Sequence, residues 1–515
     1  MKYKTYTTKP KPNNHRRKIL GLNGLNHDAS ACLLHGKEIK FAGHNERYTD
    51  IKFDEDITQP MISDIKRYGT WDEVTWFERP IKKKGRQLWA GQYSEVFTRK
   101  NLPSNYLKKF NIKPDVYIDH HLSHAAASYF TSPYRESVGV MIDAIGEWET
   151  ATIWYIKTHE DGSTTFEKRW SQEYPHSLGL WYSAMTQRLG LKPQEDEYIL
   201  MGMAGWGTVD EELKQNIRND FFKDSDKLID LKDNLHRGCL DWNPEYYKDD
   251  DSEQWKFDIA ANVQAICEEE IVKVFELTKL LVPETDNCVY MGGVALNCVA
   301  NSIIARDHYP NLWILPNPGD AGSSLGSAAY VFGEHINWTS PFTGYEIKGR
   351  YPKKKILDEL LNGNIVGVAN GRAEFGPRAL GNRSLLADPR GDGIKDRVNE
   401  IKHRQKFRPF APSVLEEYAH EVFDMPVKKS QFMQFVAPCK FPDKYPAICH
   451  VDNTSRVQTV SKEDNPGYYK LIKEFYHKTG CPMVLNTSLN IKGQPIVNSY
   501  HDGVAFEKKY GVKVF

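Results

Sequence analysis

Two histidines and two aspartates give this sequence its clearest indication of chemistry. His120 and His124 stand in DHHLSHAAASYF, and residues four apart on a helix share a face, so both imidazoles can reach one metal ion. The same spacing also occurs between ordinary helix residues. Asp143 ends the apolar segment VGVMID, and Asp320 lies in the turn-rich PNPGDAGSSLG. Two imidazoles with two carboxylates suit iron or zinc, so we predict a site for such an ion.

A third histidine has the surroundings of a catalytic side chain. His27, in NHDAS, follows a predicted strand inside a loop rich in glycine and asparagine, where a side chain can face a ligand. Its imidazole could take the proton from a hydroxyl nucleophile, and the adjacent Asp28 could orient it. The alternative is a loop histidine whose hydrogen bonds serve only the fold.

A basic region occupies the last third of the chain. Arginines and lysines are concentrated among glycines and prolines in GRAEFGPRALGNRSLLADPR and KHRQKFRPFAPS, followed by HVDNTSRVQTV and PMVLNTSLNIKGQPIV. Guanidinium forks and lysine charges are what phosphates require, so these segments predict a site for a nucleotide and an acyl phosphate. The alternative, a solvated basic surface, fits poorly with the interleaved Gly-Pro and Phe-Pro turns. The candidate residues are Arg378, Arg383, Lys402, Arg404, Lys406, Arg408 and Arg456, with Asn486 and Ser488.

The elements that position these groups follow a pattern that occurs twice. Lys18 to Leu22 has the pattern of a short strand, and a Gly/Asn loop and a hairpin in ACLLHGKEIKFAGHNE follow it. Later the apolar strand VGVMID is again followed by an acidic, glycine-containing loop and a hairpin, which turns at Asp161-Gly162. Such a repeat is what a duplicated actin-like or sugar-kinase-like fold leaves in a sequence.

Two further segments have predictable structure. After Asp258, which suits a helix N-cap, apolar residues at helical spacing predict a purely structural helix. The segment NCVYMGGVALNCVANS predicts a buried strand, a loop at Gly292 and Gly293, and the start of a helix. This arrangement brings backbone N–H groups close to a phosphate or ribose.

Length and composition limit the class of protein. A chain of 515 residues predicts two or three domains, with a linker near residues 349–355. Lys plus Arg equals Asp plus Glu at 68 each, which argues against strong non-specific binding to nucleic acid or an anionic membrane. The eight cysteines form no CxxC pair, and no segment reaches the roughly 20 apolar residues of a membrane span. We therefore expect a cytoplasmic protein without a membrane partner.

Segments that resemble one family occur in the same order along nearly the whole chain, from about Gly21 to Val497. They are NHDAS, HHLSHAAASYF, MIDAIGEWET, GGVALNCVAN, PGDAGSSLGSAAY, EFGPRALGNRSLLADPR, FRPFAPS, HVDNTSRVQTV and VLNTSLNIKGQPIV. They resemble the O-carbamoyltransferases of the NodU/CmcH/TobZ type. The resemblance implies an α/β protein with an actin-like domain of the ASKHA class, a duplicated ribonuclease H-like fold, in residues 1–350. It implies a YrdC-like α/β domain in residues 351–515.

The resemblance also implies how the two domains share one reaction. The YrdC-like domain would form carbamoyl adenylate from carbamoyl phosphate and ATP with Mg²⁺, and the actin-like domain would transfer the carbamoyl group to a hydroxyl. The two histidines and two aspartates would hold ferrous iron, and His27 would assist the attack of the acceptor. The basic residues would bind ATP and carbamoyl phosphate. The adenylate cradle would consist of Gly292, Gly293 and Asn297.

These arguments leave the acceptor open. A small sugar-like or natural-product molecule is the first hypothesis. The second, a hydroxymethylated pyrimidine in a nucleotide or in DNA, is motivated by WFERPIKKKGRQLWAGQY, where Lys82, Lys83, Lys84 and Arg86 stand beside aromatic residues. The third, a catalytically inactive regulatory protein that binds metal and nucleotide, is motivated by the few residues that follow GQPIV. A homodimer is compatible with the sequence.

Overall fold

Two compact units make up the protein. The computed structural model describes residues 3–244, 246, 253–391, 393–405 and 407–515. Unit 1 consists of the described parts of residues 1–45, 55–300 and 307–338, and unit 2 of residues 46–54, 301–306 and the described parts of 339–515. We predicted a single division after residue 350. In the structure the last segment of unit 1 ends at residue 338, and the last segment of unit 2 begins at residue 339. The predicted linker is partly helical, because a helix begins at Lys353.

Strands and helices alternate along much of the chain, as expected of an α/β protein. The strands are β1 (Lys4–Thr8), β2 (Lys18–Asn23), β3 (Ser30–His35), β4 (Glu38–His44), β5 (Glu73–Trp76), β6 (Val116–Tyr117), β7 (Glu136–Gly146), β8 (Glu149–Thr158), β9 (Thr164–Glu173), β10 (Asn287–Met291), β11 (Asn311–Ile314), β12 (Phe342–Ile347), β13 (Val366–Ala369), β14 (Gly371–Glu374), β15 (Arg383–Ala387), β16 (Ala411–Leu415), β17 (Val436–Pro438), β18 (Thr454–Arg456), β19 (Gln458–Val460) and β20 (Met483–Ser488). The α-helices are α1 (Glu46–Thr49), α2 (Gln59–Tyr68), α3 (Pro80–Trp89), α4 (Tyr93–Phe97), α5 (Pro103–Tyr106), α6 (His120–Thr131), α7 (Leu178–Arg188), α8 (Glu197–Ala204), α9 (Glu211–Phe221), α10 (Glu253–Leu281), α11 (Cys298–Ile303), α12 (Ser323–Phe332), α13 (Lys353–Leu361), α14 (Ile394–Ile401), α15 (Ala419–Val422), α16 (Pro466–Thr479) and α17 (Tyr500–Tyr510). Within the described part of the chain, every helix is too short or too polar to span a bilayer.

Unit 1 contains two sheets with the same topology. One has the order β4-β3-β2-β5-β6, and the other has β9-β8-β7-β10-β11 with β1 added beside β9. In each, the first three strands in sequence pair antiparallel and the last two are added parallel to the first. This is the strand order of a ribonuclease H-like domain, present twice. The predicted duplicated fold is therefore confirmed by strand order and direction.

Equivalent helices of the two repeats pack directly against each other. Helix α6 follows the fifth strand of the first sheet and α12 follows that of the second, and the two helices are in contact. A Cβ added at Gly326 of α12 would lie 1.8 Å from the carbonyl oxygen of Ser123 in α6. A Cβ at Gly21 in β2 would lie 1.9 Å from the carbonyl oxygen of Ser324. Glycine is therefore required at both positions, and it lets the backbones that carry the candidate site approach closely.

Several sequence predictions are decided by these elements. The first predicted strand and hairpin correspond to β2, β3 and β4, and the second set to β7, β8 and β9, so both are confirmed. The predicted start of the long helix at Asp258 is wrong, because α10 already includes Glu253. The Asp258 carboxylate instead accepts hydrogen bonds from the backbone N–H of Thr208 and from the side chain of Gln254. Capping chemistry alone did not distinguish a helix start from a contact with a neighbouring loop.

Unit 2 is built on a mixed five-stranded sheet. Its order is β13-β15-β20-β16-β19, antiparallel except for the parallel pair β16 and β19. The strands are buried, and an apolar core that includes Leu385 and Val414 lies between the sheet and its helices. Helix α16 shows clear termini: Asn465 caps its start ahead of Pro466, and Gly480 ends it at a positive φ of 68°.

Candidate metal centre and anion site

The two histidines of the predicted pair begin helix α6. His120 and His124 lie on one face of that helix and are 1% and 0% exposed. Asp143 lies near the end of β7, and Asp320 opens the short turn before α12. The duplicated fold thus brings two helix starts and a strand end to one place in unit 1.

The four side chains converge on a small space. Their potential ligand atoms all lie within 4.8 Å of one another. Ligands 2.0–2.2 Å from a shared ion are about 3.0–3.5 Å apart at octahedral or tetrahedral angles. The five separations that involve a histidine match this range, so the donor set fits one transition-metal ion. The distances are His120 Nε2 to His124 Nε2 3.1 Å, to Asp143 Oδ2 3.3 Å and to Asp320 Oδ1 3.2 Å, and His124 Nε2 to Asp143 Oδ2 3.1 Å and to Asp320 Oδ1 3.4 Å.

The electrostatics of this cluster also call for a cation. Burial opposes charge on His120, yet the carboxylates of Asp320 and Asp143 raise its pKa well above the ordinary value. Burial also opposes charge on Asp143 and so raises its pKa, but hydrogen bonds to His120 and His124 hold that pKa well below the usual range. The carboxylates therefore remain charged in a buried place and need positive charge beside them. A divalent ion bound to neutral imidazoles would supply it.

Three neighbours hold the ligands in place, and the sequence analysis missed two of them, Ser323 and Asn26. Nδ1 of His124 lies 3.2 Å from the hydroxyl of Ser323. The Asp320 carboxylate accepts from the Asn26 side chain at 2.9 Å, and that of Asp143 accepts from the Gly293 backbone N–H at 3.3 Å. Such partners fix the orientation of metal ligands. Asn26 could have been found, because it precedes His27 in the same polar loop.

His27 lies at the edge of the cluster. Its Nδ1 is 3.1 Å from the Asp28 carboxylate and its Nε2 is 3.7 Å from Asp320 Oδ2, and its side chain is 37% exposed. Burial lowers its pKa, but the hydrogen bond to Asp28 and the charges of Asp320 and Asp143 raise it to about 9. An ion bound to those two aspartates would offset part of this rise. Asp28 and His27 are in contact, and the orienting role of Asp28 stays a prediction.

The predicted adenylate cradle lies beside Asp143. A Cβ at Gly292, which has a positive φ of 101°, would be 2.0 Å from the carbonyl oxygen of Ile142, so only glycine fits there. Asn297 is buried, and its side-chain amide exchanges hydrogen bonds with Gln264. The strand, loop and helix start of this segment are confirmed, and its contact with a nucleotide stays a prediction.

In unit 2, two of the predicted ligand-binding cations are bound to the protein itself. Arg383 is 0% exposed and donates to five backbone carbonyls, and Lys402 donates to backbone and side-chain oxygens of Ser488 and Asn490. These contacts favour structural roles over the predicted contact with a ligand. The carbonyls around Arg383 belong to Tyr345, Asn370, Gly371, Asn382 and Asn498.

The other basic residues of unit 2 differ in their surroundings, and Arg404 also donates to the protein itself, at the Asn399 side chain and the Pro409 carbonyl oxygen. Burial lowers the pKa of Lys402, and the charges of Arg404 and Arg408 lower it further, so three cations lie close together. Arg378 is partly exposed, and Nε of Arg456 has no hydrogen-bond partner among the described residues. Close cations favour an anion between them.

Asn486, Ser488 and Lys406 are the remaining residues predicted for the anion site of unit 2. Asn486 donates to Ala379, Ser413 and Gln458, while its Oδ1 is buried without a partner in the described part of the chain. Ser488 donates to Asn490. Lys406 lies outside the described residues. A phosphate site formed by these side chains stays a prediction.

Comparisons with known proteins find a family match within each unit. Residues 78–329 match the family model of the carbamoyltransferase N-terminus, and residues 357–515 match that of the carbamoyltransferase C-terminus. The chain is 31% identical to an uncharacterized protein of Synechocystis sp., over 94% of this chain and 93% of that protein. It is 31% identical to nodulation protein NolO of Bradyrhizobium diazoefficiens, over 75% of each chain. It is 32% identical to the 3'-hydroxymethylcephem-O-carbamoyltransferase of Amycolatopsis lactamdurans, over 48% of this chain and 51% of that enzyme.

Proposed function

Because this chain belongs to the carbamoyltransferase family and is a transferase, we propose that it moves a carbamoyl group from carbamoyl phosphate to an acceptor hydroxyl. ATP activates the group as carbamoyl adenylate. Unit 2 forms this adenylate, as a YrdC-like domain would, and unit 1 transfers its carbamoyl group. The acceptor is a small hydroxyl compound.

The observation that carries this proposal is the buried cluster in unit 1. Two imidazoles and two carboxylates converge at the distances expected around one ion, in a chain that matches both family models. A regulatory protein that binds metal would share this cluster, so the release of pyrophosphate is what separates the two hypotheses.

Four residues of unit 1 would hold the ion, which we propose is Fe²⁺. They are His120, His124, Asp143 and Asp320. Two nitrogen and two oxygen donors suit a borderline divalent ion. When bound, such an ion acts as a Lewis acid that stabilises negative charge on a phosphate or carbonyl oxygen.

Formation of the adenylate requires anion binding. Carbamoyl phosphate, ATP and water yield carbamoyl adenylate, pyrophosphate and inorganic phosphate. The cations at Arg378, Arg404, Arg408 and Arg456 are suited to the phosphates, with Mg²⁺ carried by ATP. Lys402 and Arg383 support this region through the contacts described above.

Transfer then needs a hydroxyl nucleophile and a place for its proton. The acceptor oxygen forms a bond to the carbamoyl carbon, and the bond from that carbon to the AMP oxygen breaks. In its neutral form His27 accepts the hydroxyl proton at Nε2, and Asp28 holds the ring through Nδ1. Exclusion of water protects the adenylate until the acceptor arrives.

The contacts of α3 bear on DNA as an acceptor. Lys83 donates to Glu78 and to the Leu25 carbonyl oxygen, and Lys84 donates to three backbone carbonyls and to the side chain of Asn101. These contacts occupy two of the four cations that motivated a polymer acceptor. They weaken the argument for DNA as the acceptor.

One assay tests the proposal. Purified protein with ATP, Mg²⁺ and carbamoyl phosphate, without an acceptor, should release pyrophosphate in a carbamoyl-phosphate-dependent reaction. Mass spectrometry of hydroxyl compounds added afterwards should find a gain of one carbamoyl group. Bound ATP with no release of pyrophosphate would contradict the proposal and favour the regulatory hypothesis.

A further inference from the structure

A cavity that is open to solvent lies in unit 1. It has a volume of about 880 Å³ and is lined by side chains of β1, α3, β8, β9 and the turn between β7 and β8. Its lining includes the cations Lys4, Lys82, Lys168 and Arg169, the carboxylates of Glu147, Glu149 and Glu173, and the indoles of Trp148 and Trp170. A cavity of this size accommodates an ordinary small-molecule ligand.

Three ammonium groups meet in this cavity. Lys168 is paired with Glu149, and Lys82 with Asp119 and, at 3.7 Å, with Glu147. Lys4 forms no ion pair within the described part of the chain, and its ammonium lies 4.8 Å from the ring centre of Tyr6. One wall of the cavity therefore offers an ammonium group without a carboxylate partner.

The charges of these lysines affect one another. Burial lowers the pKa of Lys168 to about 8, and the charges of Lys4 and Lys82 contribute to the lowering. Burial also lowers the pKa of Lys4, and the nearby Arg79 adds to the effect. An anion in the cavity would relieve this repulsion, because it would lie among cations that now repel each other.

Aromatic rings also belong to the lining. Trp148 contacts Trp89 with ring centres 6.1 Å apart, which fixes its indole, and Trp170 is half-buried on β9. Indole faces stack on planar bases and on the C–H faces of sugar rings. The cavity thus combines surfaces for a ring with positive charge for an anionic substituent.

Two chain segments connect the cavity to the metal cluster. Lys82 pairs with Asp119, the residue immediately before His120. The turn that carries Glu147 and Trp148 begins at Gly146, where a Cβ would lie 2.8 Å from the ring of His120. The same helix α3 also reaches the loop of His27, because Lys83 donates to the carbonyl oxygen of Leu25.

We propose that this cavity binds the acceptor and that the acceptor is a phosphorylated hydroxyl compound, with its ring against the indoles and its phosphate among Lys4, Lys82 and Lys168. This inference rests on the proposed function and names the substrate class for the transfer step. A sugar phosphate and a nucleoside monophosphate share this chemistry.

Pyridoxal 5′-phosphate tests the cavity without requiring turnover, because it joins an aromatic ring, a phosphate and an aldehyde that captures lysines. The wild-type protein is treated with the reagent at low concentration, reduced with borohydride and mapped by peptide mass spectrometry. We expect Lys4 or Lys168 to be labelled at least about fivefold more than Lys157, a partly exposed lysine on β8 outside the cavity lining. Pyridoxal, which lacks the phosphate, should lose this preference.

Protection identifies the source of the phosphate. Glucose 6-phosphate is compared with glucose, and deoxycytidine monophosphate with deoxycytidine. Protection by either phosphate monoester, but not by its unphosphorylated partner, supports the inference and shows which ring fits. Equal labelling by pyridoxal, or no protection by either monoester, overturns it.

A variant pair and a separate assay complete the design. Lys4→Gln should reduce protection by the phosphate monoester about tenfold, whereas Lys157→Gln should leave it unchanged. Equal protection in both variants contradicts the role of Lys4. Pyrophosphate release by the wild type reports the proposed function separately, so release without the labelling pattern overturns the inference alone. The labelling pattern without release overturns the proposed function.

Discussion

The histidine–aspartate cluster of unit 1 and the basic residues of unit 2 were predicted with the same kind of argument, from residue type and spacing. The two groups differ in what their polar atoms contact. In unit 1 all four side chains point their ligand atoms into one space. In unit 2 two of the most deeply buried cations, Arg383 and Lys402, point theirs at the protein's own oxygens. The buried charge of unit 1 requires a ligand, whereas the buried charge of unit 2 binds the protein's own backbone.

The two groups differ in whether their charged side chains already have suitable partners within the protein. Histidine and aspartate in the cluster face one another at distances that only a proton or an ion makes favourable. The N–H donors of Arg383 are already bound to carbonyl oxygens, so no ligand is needed beside it. The chemical type of a residue therefore indicates a site only when its partners are known.

Among the substitutions that test this comparison, His120→Ala should have the largest effect on activity. Loss of one ligand should reduce transfer by more than about 100-fold and remove the metal, while carbamoyl-phosphate-dependent pyrophosphate release continues. Metal analysis and both half-reaction assays measure this. His121→Gln is the matched control, because the hydrogen bond of that neighbour goes to Thr152 and not to a ligand atom of the cluster. Equal loss of both half-reactions in His120→Ala would contradict the division between the units.

Arg383→Met tests the other side of the comparison. Several buried carbonyls would lose their donor, so the free energy of unfolding should fall by about 3 kcal/mol or more. Urea denaturation measures this change. Arg397→Met is the control, since this exposed side chain makes a single hydrogen bond to Gly363 and should change stability by less than about 0.5 kcal/mol. A stable Arg383→Met protein that has lost only ATP binding would contradict the structural role and support contact between Arg383 and the ligand.

Arg378→Ala should behave in the opposite way. The partly exposed guanidinium is proposed to contact phosphate, so pyrophosphate release should fall about 30-fold with little change in stability. The exposed Arg350 provides a control in Arg350→Ala, which should retain full release. Normal release by Arg378→Ala would remove this residue from the proposed anion site.

The smallest effect is expected from Ser323→Ala. The hydroxyl orients His124 through Nδ1, so its loss should weaken metal binding about tenfold without abolishing it. Competition with a chelator measures the affinity. Ser327→Ala, one turn further along α12, should leave the affinity unchanged because Ser327 contacts Thr75 and the backbone instead. Equal affinities in both variants would exclude the orienting role.

Local sequence patterns predicted the parts of the molecule that depend on local geometry. The helical spacing of His120 and His124 placed both rings on one face, and the repeated strand and hairpin pattern predicted the duplicated sheets. The partners of Arg383 come from segments between Tyr345 and Asn498, and no local pattern specifies such contacts. The same holds for Ser323, whose role depends on how α12 packs against α6.

Metal stoichiometry tests the central claim most directly. The purified protein is loaded with Fe²⁺ without oxygen, freed of excess metal and analysed for metal content and by X-ray absorption. The account predicts one ion per chain with only nitrogen and oxygen ligands, including two imidazoles, and loss of that ion in His124→Ala. Absence of a tightly bound ion, or ligation by sulfur from any of the eight cysteines, would contradict it.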